Sequence, residues 1–156
     1  MKTKHAAAVI LFFFLSVAAN AAMVSIYVIE TGVPEDGREN LNSVNWENAF
    51  LDVFFDAGHI VSNSPILRLE KKPQGDILRE VDMRPLRNGG IEFLIIAQLD
   101  YSTEFTPSEL SFWVYRVNTR ELITEKKVQG RQISSQREGY EYMKSIARGL
   151  IASIDD

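Results

Sequence analysis

Cysteine is missing from all 156 residues. Disulfides are excluded, although an exported protein would be allowed them. No residue can carry the thioether-linked lipid of a bacterial lipoprotein. Histidine is scarce, with only His5 and His59. The usual nitrogen and sulfur ligands of a zinc site therefore cannot be assembled. Long apolar runs are also few. The longest, Ala6 to Ala18, is well short of the roughly 20 apolar residues that span a bilayer.

That short run has a context. Lys2 and Lys4 precede it, and Ala19-Asn20-Ala21 follows it with small residues at the right places. A basic start, an apolar centre and a small-residue site are the parts of a cleavable secretory signal. Residues 1–21 are read as that signal, with cleavage near Ala21, and residues 22–156 as one globular domain. Removing residues 1–21 from 156 leaves 135, enough for a core without staples. The product is expected in the periplasm or secreted. Removing Lys2 and Lys4 from the 17 basic residues leaves 15 against 21 acidic ones, a balance of −6. A domain of that sign is repelled by phosphate backbones, so nucleic acid is not an expected partner. No second apolar stretch is long enough to span a membrane.

Periodicity supplies an element order. Ser25 to Glu30 is β-branched and aromatic, as in a strand. Thr31 to Leu41 is a polar loop. Trp46, Phe50, Val53 and Phe54 recur at helical spacing, with Ser43 as N-cap and Gly58 as the left-handed residue that ends the helix. His59 to Ser62 is a short second strand. Ser64-Pro65 is suited to starting a helical turn. A second helix is expected within Asp76 to Arg87, bent or ended by Pro85. Ile91 to Tyr101 is the strongest strand, apolar on both faces and so covered on both. Leu110 to Val117 and Leu122 to Gln129 form a hairpin around Asn118-Thr119-Arg120-Glu121. Glu125, Lys126 and Lys127 keep its edge soluble. Ser135 to Glu138 has capping-box spacing before a final amphipathic helix. That helix mixes acids and bases on its polar face, which favours docking on its own sheet over a membrane.

The fold class is α/β (α+β), with the order β-α-β-α-β-β-β-α. One mixed five-stranded sheet is expected, with three parallel strands, an antiparallel hairpin and helices on both faces. Right-handed crossovers with strand order 2-1-3 are expected to put the first two helices on one face, leaving the other to the final helix.

Three joints carry a likeness. They are the helix ending Ala57-Gly58 before His59-Ile60-Val61, the Gly89-Gly90 break before a very apolar strand, and the strand-turn-strand Tyr115 to Ile123 followed by an apolar helix. With them the chain resembles bacterial envelope domains: the amino-terminal domain of the Tol-system protein TolB, the periplasmic part of the curli secretion protein CsgG, and the penicillin-binding-protein activator LpoB. The likeness spans nearly all of residues 22–156. It departs from the family in lacking a lipidation cysteine, barrel-forming hairpins and propeller repeats. The resemblance implies the fold and a general role as an envelope adaptor. It transfers no site residue.

Chemistry-bearing residues are sparse. A Ser-His-Asp arrangement would need His59, and no Gly-x-Ser-x-Gly turn is present, so His59 is read as packing or surface. Asp52 and Asp56 lie one helical turn apart and fit a solvated face better than an acid–base pair. Glu35, Asp36 and Glu39 offer oxygen ligands for calcium but not in the spacing of an EF-hand, and are read as a solvated loop. Gly37 and Gly89-Gly90 are turn glycines rather than a phosphate loop. No catalytic residue, metal site or cofactor is expected, and the chain is read as no enzyme. Trp46, Tyr101, Trp113 and Tyr115 are aromatics of the kind found in cores and interfaces. Trp113 and Tyr115 share one strand face. They are core if the final helix covers that face and a binding surface if it does not.

The leading reading is a non-enzymatic binding domain that contacts an envelope protein through its sheet edge or first loop. The alternative is a small-molecule or glycan-binding domain, or a hydrolase, with a pocket at the carboxyl ends of the parallel strands. Glu30, Thr31, Ser62 and Asp100 are its expected contacts.

Overall fold

A computed structural model of the chain describes residues 21–32, 41–101 and 107–155. Residues 1–20 of the expected signal segment, the acidic loop with Glu35, Asp36 and Glu39, and residues 102–106 lie outside the described residues. The elements run β1 (Met23–Thr31), α1 (Leu41–Asp56), β2 (Ile60–Asn63), β3 (Leu67–Leu69), a 3₁₀ turn (Ile77–Glu80), α2 (Met83–Asn88), β4 (Phe93–Tyr101), β5 (Pro107–Arg116), β6 (Glu121–Gln129) and α3 (Gln136–Asp155).

One mixed sheet carries the fold, five strands wide in the order β2-β1-β4-β5-β6. β1 runs parallel to β2 and β4, and β5 and β6 close the sheet as an antiparallel hairpin. This is the expected architecture, with one addition. The chain leaves the ladder after Asn63 and rejoins it as β3, pairing Leu67–Leu69 with Ile29–Thr31. Ser64-Pro65 thus begins no helical turn. Proline has no amide to give the ladder, so the edge breaks there instead.

The two sheet faces are covered unequally. Val24, Ile26 and Val28 of β1, Ile95 and Leu99 of β4, and Phe112 and Val114 of β5 form one cluster with Phe50 and Phe54 of α1 and Met143, Ala147 and Leu150 of α3. Ile29, Leu94, Ile96, Tyr115 and Val117 face the other way and meet Ile77, Met83 and Leu86 from the 3₁₀ turn and α2. The expectation of two crossover helices on one face is corrected here. The step from β1 to β2 and the step from β2 to β4 cross the sheet in opposite directions. Two right-handed crossovers must then use opposite faces. α3 shares the α1 face, and only the short elements cover the other.

Local chemistry explains the boundaries. Gly58 ends α1 at φ 93°, with Gly58 N bonded to Phe55 O at 2.9 Å and His59 N to Phe54 O at 3.1 Å. This is the two-bond Schellman closure, and the buried His59 ring sits 5.9 Å from Phe54 as its side-chain contact. Ser43 is not the N-cap. It lies inside α1, fully buried, 2.7 Å from the Tyr101 hydroxyl. Asp82 caps α2 through Arg84 N, which places Pro85 in the first turn, where its missing amide costs nothing. Ser135 Oγ caps α3 by accepting from Glu138 N at 3.2 Å, while the Glu138 carboxylate reaches past it to Ser134 N at 2.9 Å. The capping box is therefore offset by one residue from the expected reciprocal pair.

Candidate functional site

Alternation along β5 sorts its residues. Phe112 and Val114 point to α1 and α3. Ser111, Trp113 and Tyr115 point to the sparsely covered face. Register then fixes their neighbours. Gln98 of β4 lies opposite Ser111, while Glu125 and Lys127 of β6 lie opposite Trp113 and Ser111. The segment Lys72–Ile77 leans over this patch and encloses a groove of about 330 Å³. Tyr115 is buried under the 3₁₀ turn, whereas Trp113 stays partly open to the groove.

The charges around the groove are paired at its rim. Lys72 Nζ meets Glu109 Oε1 at 2.7 Å, and Lys127 Nζ meets Glu125 Oε1 at 3.1 Å. Exposed pairs of this kind add little stability. Asp76 also lines the groove, its carboxylate accepting from Leu78 N at 3.0 Å. The Lys72 ammonium bonded to Glu109 holds that carboxyl below its usual range. Burial, with the negative charges of Asp76 and Glu125 added, pushes the Tyr115 phenol up to about 12. Tyr115 therefore keeps its proton as a donor. Gln98 is 3% exposed and lines the groove. The groove thus offers an aromatic plate, a phenol donor, a hydroxyl and a two-way amide, which suits a polar ligand.

The carboxyl ends of the parallel strands form a second polar region. Thr31 Oγ1 donates to Asp100 Oδ1 at 3.2 Å. Both belong to the sparsely covered face. Glu30 points the other way, toward α1, fully buried. Its Oε2 accepts from Arg68 Nε at 3.0 Å, and its buried Oε1 has no hydrogen-bond partner among the described residues. Arg68 lines a recess of about 540 Å³ together with Glu47 of α1 and Asn63–Ile66 of the broken edge. Ser62 stands apart. It pairs with Ser25, six residues before Thr31, or about 20 Å along the strand. Gln98, Ser111, Arg68 and Glu47 are additions that sequence reasoning did not supply. Gln98 had a readable signal, as a lone amide inside the run Phe93 to Leu99.

Among the described residues no group of three or more His, Asp or Glu side chains could hold a metal ion. No helix among them is long and apolar enough to cross a membrane.

A family model described as "Uncharacterised protein" matches residues 28–147. The chain belongs to that family. No curated protein matches it. Among solved structures, the chain is similar to TolB from Acinetobacter baumannii, at 11% identity and TM-score 0.46 over 83% of this chain. It spans only 28% of that TolB chain. It is similar to the PelC dodecamer from Paraburkholderia phytofirmans at 13% identity and TM-score 0.48, covering 83% of this chain and 87% of that one. It is similar to the LpoB C-terminal domain from Escherichia coli at 13% identity and TM-score 0.46, covering 72% and 84%. TolB and LpoB are two of the proteins that the sequence resembles.

The phenols of this family member give a pH test. Tyr140 is pushed up to about 12, first by its hydrogen bond to Asp52 and then by burial. Tyr101 lies higher still, because burial outweighs the opposing bond from Ser43, and the Glu30 charge adds to it. These phenols favour the folded state while protonated. Their contribution is intact below the ordinary tyrosine value of about 10 and is lost as pH rises through the folded values. Ultraviolet titration of tyrosinate is expected to show Tyr115 and Tyr140 ionising near pH 12, with stability falling between these limits. Tyr140→Phe should remove one late-titrating group. Full ionisation of all tyrosines near pH 10 with the fold intact would contradict the arrangement.

Proposed function

We propose that the domain is an exported, non-enzymatic binding module of the bacterial periplasm that contacts an envelope protein through the Trp113 groove. The observation that carries this reading is Trp113 itself, a large aromatic left partly open on the face that α3 does not cover, beside Gln98. Aromatic anchors in desolvated pockets dominate protein interfaces. An amide that both donates and accepts suits the peptide groups of an extended segment. Export, with residues 1–21 removed, supplies the compartment. The absence of cysteine supports release without a lipid tether, so attachment to the envelope runs through protein contact.

Photo-crosslinking from position 113 in envelope extracts tests this reading. A discrete adduct is expected, weakened at least about tenfold in competition by Trp113→Ala, the loss of roughly 1.4 kcal/mol that one anchor commonly supplies. Equal yields from position 113 and from an exposed control such as Arg148 would overturn it.

The Glu30–Arg68 pair beside its recess supports a second reading, a small-molecule or glycan-binding domain acting at the carboxyl ends of the strands. Arg68→Ala would then abolish ligand-induced stabilisation while Trp113→Ala would not.

A further inference from the structure

The ladder fixes where the backbone groups of β6 point. Gly130 N donates to Ser108 O at 2.9 Å, so these two residues form a hydrogen-bonded pair. In an antiparallel ladder such pairs alternate with unbonded ones. Val128, Lys126 and Thr124 therefore bond to β5 through Leu110, Phe112 and Val114. The other side of β5 agrees. Val117 N donates to Glu92 O at 2.9 Å, and the same alternation turns the backbone of Trp113 and Ser111 toward β4. Glu125, Lys127 and Gln129 are the unbonded set. Their N–H and C=O groups point away from β5, to a border that no other strand covers among the described residues.

Side chains at that border are sorted by the same period of two. Glu125 and Lys127 stand on the side of Trp113 and Ser111, 3.1 Å apart as an ion pair. Lys126 stands on the other side. Its Nζ lies over α3, 3.1 Å from where a Cβ on Gly149 would stand. Glycine is a poor helix former, and here it gives the lysine room to fold back over the helix. Charges usually guard a border against strand addition. Their order in β6 makes an exception for one partner. An antiparallel second copy sets outward groups against outward groups when it is centred on residue 125, 126 or 127. Centred on 125 it opposes two glutamates, and centred on 127 two lysines. Centred on 126 it sets Glu125 against Lys127 of the second copy, and Lys127 against Glu125 of the second copy. Opposite charges across strands stabilise the pairing, and like charges destabilise it.

We propose that two copies of this chain join β6 to β6, antiparallel and centred on Lys126, into one continuous sheet. Lys126 meets its own copy at the centre, with both ammonium groups turned back over α3. The contact is isologous, the same patch on both copies. It covers one strand edge on each side, the size of a weak and transient interface, so a Kd of about 0.1 mM is expected. It does not rest on the function proposed for the Trp113 groove.

Sedimentation of the exported protein is expected to show a monomer–dimer equilibrium near that Kd. Glu125→Lys and Lys127→Glu should each weaken it at least about tenfold, because like charges then face each other twice. Each variant also breaks the ion pair within its own strand. An equal mixture of the two should recover the dimer. Opposite charges then meet across the seam, while the pair within each strand stays broken. The chain has no cysteine, so single introduced cysteines report position. Residue 126 faces itself across an unbonded pair, with Cα atoms about 4.5 Å apart, inside the range of a disulfide. Residue 124 lies about 13 Å from its copy, outside that range. Lys126→Cys should therefore oxidise to a linked dimer, and Thr124→Cys should not. The proposal falls if the protein sediments as a monomer at about 1 mM, tenfold above the expected Kd. It falls equally if either charge variant dimerises as well as the parent, if the mixed variants stay monomeric, or if Thr124→Cys links as fast as Lys126→Cys.

Discussion

Phe112→Ala is expected to destabilise the domain by about 3–5 kcal/mol, the usual cost of removing a buried phenylalanine. Phe112 is fully buried on β5, and its ring stacks on Phe50 of α1 with centroids 5.5 Å apart and planes 19° apart. Phe50 in turn stacks on Phe54 at 6.3 Å. Removing the ring opens a hole where the hairpin meets α1, and rigid neighbours on both sides limit collapse. A domain of this size has about 5–15 kcal/mol in total, so the variant should sit near the edge of folding. Urea unfolding followed by tryptophan fluorescence should show the midpoint moving sharply, and Phe112→Leu should recover most of the loss. A cost under about 1 kcal/mol would mean that the β5–α1 seam is not the centre of the core.

The second large effect concerns charge. Arg68→Ala removes the guanidinium that faces the fully buried Glu30. Breaking a buried pair from one side costs about 3–5 kcal/mol because the remaining charge has no counterion. Arg68 is itself 32% exposed, so water can replace part of its role. A loss of about 2–3 kcal/mol is expected here. The double variant Glu30→Leu, Arg68→Leu should regain most of it, since an apolar pair of similar volume needs no counterion. If the double variant is as unstable as the single one, the pair is held by packing rather than by charge. The same two variants bear on function. Retained partner binding in the double variant would leave the Trp113 groove as the site.

Much of the fold was legible because it is written in local pattern. The apolar run of β4, the stripe along α3 and the glycine that closes α1 each announce their element without reference to the rest of the chain. The parts that were not legible depend on distant residues. Ser43 looks like a cap until Tyr101, 58 positions away, takes its hydroxyl. Ser64-Pro65 has the chemistry of a helix start, but β1 offers three more pairing residues just beyond it, and the ladder resumes. The helix faces required handedness to be followed through both crossovers, because reversing direction across the sheet reverses the face. That correction puts Trp113 and Tyr115 on the face that α3 leaves, where Tyr115 is buried and Trp113 is partly open. Their alternation was visible, but which helices covered them was not. At the carboxyl ends, Glu30, Thr31 and Asp100 were expected to converge. Period-two alternation instead sends Glu30 to one face and the other two to the opposite one.

The interruption between β2 and β3 has a consequence for assembly. A sheet grows by adding strands to an open border, and this sheet has two. Among the described residues the nine-residue strand β6 is a border of the sheet, and it carries Glu121, Glu125, Lys126 and Lys127. Along the other border the ladder is cut after Asn63, with Pro65 in the gap, and resumes for only three residues. The proline break leaves that border a poorer template for strand addition than β6, because an added strand would meet two short ladders separated by a gap.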